Sequence, residues 1–181
     1  MPSPIAHGST VFLARAMLGE EMPRDVRRPI IWGLLLFASV APDFDIPINL
    51  IRSGDAFGAH GSYSHSLLLA PIFGVAFLCA IKLIWREANA GKVFLIGAGL
   101  YALHVLMDLM THDSRGVSLF WPIMPERIAC PAWLFVGVEH SDWKRIDLHL
   151  LTIVTESVFA AFVFFVARYI AGLRRGHRAY A

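Results

Sequence analysis

The sequence predicts an all-α integral membrane protein: a helical bundle of four to five transmembrane helices with a long loop between the last two. Three observations carry that prediction. Hydrophobic residues make up 56% of the chain and charged residues only 17%, against ~25% charged in a typical soluble domain. Mean hydropathy is correspondingly high, at +0.57. Separate runs reach the ~20 apolar residues that a spanning helix needs, and no period-two alternation suggests strands. A soluble bundle with apolar core helices would read similarly, but 181 residues offer too little outer layer to bury such runs. Length sets one domain, residues 1–181. Cys79 and Cys130 make neither a disulfide framework nor a four-thiolate zinc site. A net charge of +2 gives no reason to expect nucleic-acid binding. Eight histidines beside sixteen Lys and Arg are the one unusual count.

In chain order, Pro4 to Leu18 is the weakest apolar segment and the candidate fifth span, partly amphipathic and carrying Arg15. With no basic start, and with His7 and Arg15 inside it, it does not read as a cleavable signal peptide. Pro29 to Val40 is short but continues through Ala41-Pro42 into Asp-Phe-Asp-Ile-Pro. Ser66 to Trp85 has spanning length, with Lys82 near its end. Gly91 to Met110 has it too, with His104 and Asp108 inside. His149 to Gly172 is the longest run and encloses Glu156. The connection from His112 to Leu148 is rich in Trp, Pro and charge, and is expected to fold over one membrane face. Trp121, Trp133 and Trp143 read as interfacial anchors, and Asp113, Glu139, His140 and Asp142 as solvated loop residues.

The Lys/Arg bias orients the bundle. Arg24, Arg27, Arg28, Lys82, Arg86 and Lys92 fall on one face, joined by Arg168, Arg174, Arg175 and Arg178 at the end of the chain. The smaller set, Arg52, Arg115, Arg127, Lys144 and Arg145, falls on the other. The Arg-rich face is expected to be cytoplasmic and the long loop outside. Arg174, Arg175 and Arg178 read as topology anchors rather than a lipid-recognition motif.

Ionisable side chains inside membrane helices are expensive and mark function or an internal pair. His104 and Asp108 project from one helix face, one turn apart, which is how a rigid element supplies two metal ligands. Singly, each other group has a plain reading. Asp43 and Asp45, stiffened by Pro42 and Pro47, suit a helix-ending turn. His60 and His65 suit an interfacial loop capped by Ser64 or Ser66. The topology changes the weighing: if the first segment runs inward from the outer face, His7, Asp43, Asp45, His60, His65, Asp108 and the adjoining His112 meet at one end. Such convergence reads as a metal site. Mixed imidazole and carboxylate donors suit zinc first, or manganese or iron, whereas calcium wants more oxygens. Glu156 and His149 share a face of the last helix; an interhelical hydrogen bond for Glu156 and an interfacial place for His149 are preferred to a role in the site.

The ordered blocks resemble the YdjM-like family of bacterial membrane-bound metal-dependent hydrolases. An early His heads an apolar helix, here Ala6-His7-Gly8, and a Pro-Asp-x-Asp block follows as Pro42-Asp43-Phe44-Asp45. The family's His-Arg-Gly-x-Thr-His-Ser-Leu stands here as His60-Gly61-Ser62-Tyr63-Ser64-His65-Ser66-Leu67. A His-x-x-x-Asp helix, His104 to Asp108, leads to Gly116-Val117-Ser118-Leu119-Phe120-Trp121-Pro122. Two departures stand out: Gly61 replaces the family's Arg, and the stretch before Gly116 is longer, which detaches His112 from the pattern. More distantly, the order of His, Asp, His and His-x-x-x-Asp is similar to helical zinc-dependent phospholipases C and nucleases.

The resemblance implies a membrane-bound metal-dependent hydrolase of the bacterial inner membrane, and the Lys/Arg bias puts its expected site on the non-cytoplasmic side. His65, His104 and Asp108 are the first expected ligands of a divalent metal, with Asp43 and His7 next. Asp45 and His60 are expected catalytic or orienting groups, or ligands of a second metal. A phosphoester or ester bond of an amphiphilic or lipid-linked substrate is the expected target, with membrane lipids as the surroundings. The competing class is a non-enzymatic metal-binding or transport protein whose His/Asp cluster holds helices together.

Overall fold

The computed structural model describes residues 2–112, 115–138 and 144–179. Asp113, Glu139, His140, Asp142 and Trp143 lie outside them. Seven α-helices are present among the described residues, and four helical segments are long and apolar enough to cross a membrane: Arg27–Ser53, Leu67–Ile84, Ala90–Leu109 and Ile146–Arg175.

The N-terminal apolar segment is not among these four. Ser3 caps its start, and Thr10 divides it into α1 (Pro4–Ser9) and α2 (Val11–Leu18). At 1.5 Å per residue, even a straight helix over Pro4 to Leu18 would extend only ~22 Å, less than the ~30 Å hydrocarbon core. The divided pair packs along the last helix instead.

Helix α3 (Arg27–Val40) tightens into a 3-10 turn over Ala41–Phe44 and resumes as α4 (Asp45–Ser53). Pro42 lacks a backbone N–H, so the regular ladder cannot run through this point. The expected helix-ending turn is thus a local break in a longer helical path, with Asp43 and Asp45 on it. Helix α5 (Ala70–Ile84) follows a short turn capped by Ser66, while Asn89 caps α6 (Ala90–Leu109) through the Lys92 N–H at 2.9 Å. Helices α5 and α6 form the most extensive helix pair. Gly97 permits their close approach, since a Cβ there would lie 2.7 Å from the Phe77 side chain. Small residues serve this purpose in membranes, where dispersion rather than water exclusion joins helices. Ile31, Leu35, Phe77, Ile81, Val93 and Ile96 fill the space between α3, α5 and α6.

Helix α7 (Ile146–Ala179) exceeds its expected bounds at both ends. The Glu156 carboxylate is completely buried and accepts hydrogen bonds from Ser3 N (2.7 Å), Ser3 Oγ and Ala6 N (3.3 Å). It therefore ties the start of α1 to α7, the interhelical bond expected for it. The long connection folds over the same end of the bundle. Val117 and Ile128 exchange backbone hydrogen bonds at 2.9 Å, Leu67 N donates to Leu119 O, and Ser118 N donates to Gly61 O. Phe135 descends from this loop into a buried cluster with Ala6 and Met107. Trp121 packs edge-on against Tyr63, and Trp133 is exposed beside His112.

Candidate metal centre

Four segments deliver the site. Helix α1 carries His7, and the break after α3 carries Asp43 and Asp45. The loop before α5 carries His60, Ser64 and His65, and the last turns of α6 carry His104 and Asp108. The structure brings all seven sequence-predicted residues together. His7, Asp45, His65, His104 and Asp108 are buried, while Asp43 and His60 are half-buried. Two groups have the composition and reach to hold a metal ion: Asp43, His60, His65 and Asp108, and then His7, His104 and Asp108.

Asp108 joins the two groups. Its Oδ2 lies 2.8 Å from His65 Nε2 and 3.6 Å from His104 Nε2, while Oδ1 lies 3.4 Å from His7 Nε2. Asp43 Oδ1 is 3.1 Å from His104 Nε2 and 3.6 Å from His65 Nε2. His60 Nε2 stands further off, at 3.9 Å from Asp43 and 4.0 Å from Asp108. The rings of His7 and His104 stack with centroids 3.7 Å apart. Ligands of one tetrahedral ion at ~2.1 Å from the metal are ~3.4 Å from each other. The interatomic spacing fits that value.

The opposite ring nitrogens explain this orientation. His104 Nδ1 lies 2.8 Å from the Ser39 carbonyl, which only accepts, so Nδ1–H donates to it. His60 Nδ1 is held in the same way by Asp45 Oδ1 at 3.0 Å. Ser64 gives its hydroxyl proton to Asp45 Oδ2 (2.9 Å), so His65 Nδ1–H is the donor to Ser64 Oγ (2.9 Å). In their neutral forms, these three rings therefore turn an Nε2 lone pair toward carboxylates that also only accept. His65 Nε2, both Asp108 oxygens and both His7 nitrogens are buried without a hydrogen-bond partner among the described residues. His65 Nε2 and Asp108 Oδ2 are close, yet lack the alignment of a hydrogen bond. Buried acceptors facing one another are costly unless something positive lies between them. The donor set therefore fits a divalent cation, and outer partners on Nδ1 are the usual companions of metal-binding imidazoles.

The carboxylates make the cluster attractive to positive charge, whether a metal ion or a proton. Burial alone would lower the His65 imidazole, but the Asp108 and Asp43 carboxylates beside it raise it to about 9. Positive charge lies beside the loop that carries His60 and His65. The Arg127 guanidinium lies 3.4 Å from the point where a Cβ on Gly61 would be, and Gly61 has φ +80°, where a side chain would be strained. Burial and the neighbouring Arg115 lower the Arg127 pKa, while Asp45 opposes them. Arg115 donates to Phe57 O at 3.0 Å.

Some residues stay out of these groups. His112 is exposed, with its ring against Trp133 and its N–H on Phe135 O. His149 is half-buried outside both groups, and Glu156 is engaged with α1. Sequence reasoning missed the Ser64 relay, the Ser39 carbonyl and Arg127. Ser64 was legible only as a possible cap, a role Ser66 performs. Ser39 acts through its backbone, so its residue type carries no signal.

Neither a curated relative nor a solved structure matches the chain. A family model described as YdjM inner membrane protein matches residues 3–179. With the apolar helices crossing a bilayer and nearly the whole chain matched, this integral membrane protein belongs to the YdjM inner membrane protein family.

Proposed function

We propose that the protein is a metal-dependent phosphoester hydrolase whose His/Asp cluster would hold divalent metal, zinc or else manganese or iron, with Asp108 shared by its two ligand groups. One observation carries this reading: His65 Nε2 and both Asp108 oxygens are buried acceptors that face one another without partners, with both His7 nitrogens unpartnered beside them. The two Asp108 oxygens address different histidines, so this carboxylate could serve both groups. Asp43, His65, His104 and His7 complete the ligand set. A divalent metal held there lowers the pKa of a bound water toward ~7 and polarises the scissile oxygen.

His60 is the proton acceptor in this reading. Its contacts to the carboxylates are the longest of the cluster, and its side chain is 12% exposed where those of His7, His65 and His104 are at 0%. Asp45 holds its Nδ1–H and so turns Nε2 toward Asp43 and Asp108. Arg127 and Arg115 favour an anionic phosphoester over a neutral ester, because planar guanidinium groups match phosphate oxygens. Arg127 thus lies where the family's Arg after the first loop His would point. An amphiphilic or lipid-linked substrate suits a site at this end of a membrane bundle.

The test is hydrolysis of bis-p-nitrophenyl phosphate, p-nitrophenyl phosphate and p-nitrophenyl acetate by the full chain, with and without chelator. Turnover of a phosphoester that chelation abolishes and zinc or manganese restores is expected. Asp45→Asn should lower kcat by about 10–100-fold with KM unchanged, and should also weaken metal binding, because Asp45 supports His65 through Ser64. Bound metal without turnover of any substrate would make the protein a metal-binding module instead.

The site is proposed to face the non-cytoplasmic side, on the strength of the Lys/Arg bias. Cys130 lies in the long loop and is half-buried. A membrane-impermeant maleimide should label it in intact cells with a permeabilised outer envelope, and Cys130→Ser should remove the signal. Labelling only after lysis of the inner membrane reverses the assignment.

A further inference from the structure

A cavity of about 460 Å³ lies between α2, α3 and α7 at the Arg-rich end of the bundle. From Glu156, which is tied to the His7 helix, to Arg174 in its wall is ~27 Å along α7 at 1.5 Å per residue. The cavity is therefore separate from the metal centre. Arg15, Arg24, Arg168, Arg174 and Arg175 converge on it from both ends of the sequence. Like charges gathered in one cleft repel unless something negative joins them.

Two of these arginines stand apart from the described acids. Glu21 lines the cleft and is bound to Lys92 Nζ at 2.6 and 2.7 Å, while Asp25 is paired with Arg27. Arg174 is a wall element, donating to the carbonyls of Ala16 and Met17 at the end of α2. Arg24 and Arg168, in contrast, make no hydrogen bond or ion pair with any described residue and are exposed. The remaining wall is aromatic. Phe12 packs edge-on against Phe164 (5.4 Å) and Trp32 (6.5 Å), leaving Phe12 39% and Phe164 40% exposed. The cleft thus joins a cationic end to an apolar wall that opens toward the bilayer.

We propose that this cleft binds an anionic phospholipid, its phosphate on Arg24 and Arg168 and an acyl chain along Phe12, Trp32 and Phe164. The volume falls in the ~300–1,000 Å³ range of small-molecule sites, enough for a glycerophosphate headgroup. Basic clefts between transmembrane helices on the cytoplasmic side suit such headgroups. Arg24 and Arg168, which the sequence counts only toward the Lys/Arg bias, thereby acquire a shared ligand.

The experiment uses the full chain in nanodiscs of phosphatidylcholine, with graded phosphatidylglycerol whose acyl chains are brominated. Trp fluorescence reports the occupant, and the difference from Trp32→Phe isolates the cleft. Saturable quenching of Trp32 by brominated phosphatidylglycerol, beyond that by brominated phosphatidylcholine, is expected. Arg24→Gln with Arg168→Gln should weaken it at least tenfold. A charge-matched control on the same face, Arg28→Gln with Arg86→Gln, should change it less than twofold. Should the first double variant fold poorly, the lipid comparison on the unmodified protein decides by itself. Equal quenching by the two lipids, or equal loss in both double variants, overturns the site in favour of diffuse anchoring. Displacement of phosphatidylglycerol by inorganic phosphate at an equal concentration would overturn the acyl half, leaving a free-anion site.

Discussion

Replacing Asp108 with alanine should empty the metal centre, taking bound metal from about two ions per chain to near zero. Both groups of side chains with metal-binding reach include this residue, and its two oxygens face different histidines. Other substitutions should be graded. His7→Ala removes a ligand from the group with His104 alone, and should leave about one ion per chain. His65→Ala should leave His7 and His104 to hold the other. Metal analysis of purified protein in detergent measures this directly, with circular dichroism as the check that each variant folds. Asp108→Asn preserves the volume and serves if alanine leaves the buried imidazoles unsupported. A metal-free wild type that is as stable as the metal-loaded protein would sink the centre. Equal loss from His7→Ala and Asp108→Ala would replace two ions by one.

Glu156→Ala should be the most damaging substitution outside the cluster, costing about 3 kcal/mol. The carboxylate is fully buried and accepts from Ser3 N, Ser3 Oγ and Ala6 N. Removing it leaves donors at the start of α1 without partners in a nonpolar setting, where an unsatisfied group costs most. Glu156→Gln retains one acceptor oxygen and should cost about 1 kcal/mol. Denaturant titration in a fixed detergent measures both. A loss below ~0.5 kcal/mol for Glu156→Ala would contradict the tie between α7 and α1. Because His7 rides on α1, the alanine variant should also lose metal from the His7 group first. Metal lost equally from both groups would mean that Glu156 supports the whole bundle rather than this helix.

Much of the architecture is legible locally. Ser66 to Trp85 and Gly91 to Met110 differ from the observed spans by a residue at each end, because spanning length and apolarity are properties of a continuous stretch. Pro4 to Leu18 was ambiguous for the same reason: its composition suits a membrane, but its division at Thr10 depends on bonds back to His7 O. The site candidates were legible because ionisable groups in apolar segments are costly, so each one needs a reason. Alternation of helix direction then brought them to one end.

By itself, then, the sequence determined the class of fold, the spans and the His and Asp residues that meet at one end, since all depend on residue type and spacing. Only the tertiary structure decided how those residues face one another. Ser39 orients His104 through a carbonyl that every residue possesses, and Ser64 links Asp45 to His65 across separate segments. It also decided the basic cleft, where Arg15 and Arg24 meet Arg168 and Arg174. Those residues are neighbours only because α7 packs against α2, and that docking follows from long-range burial, which no local pattern records.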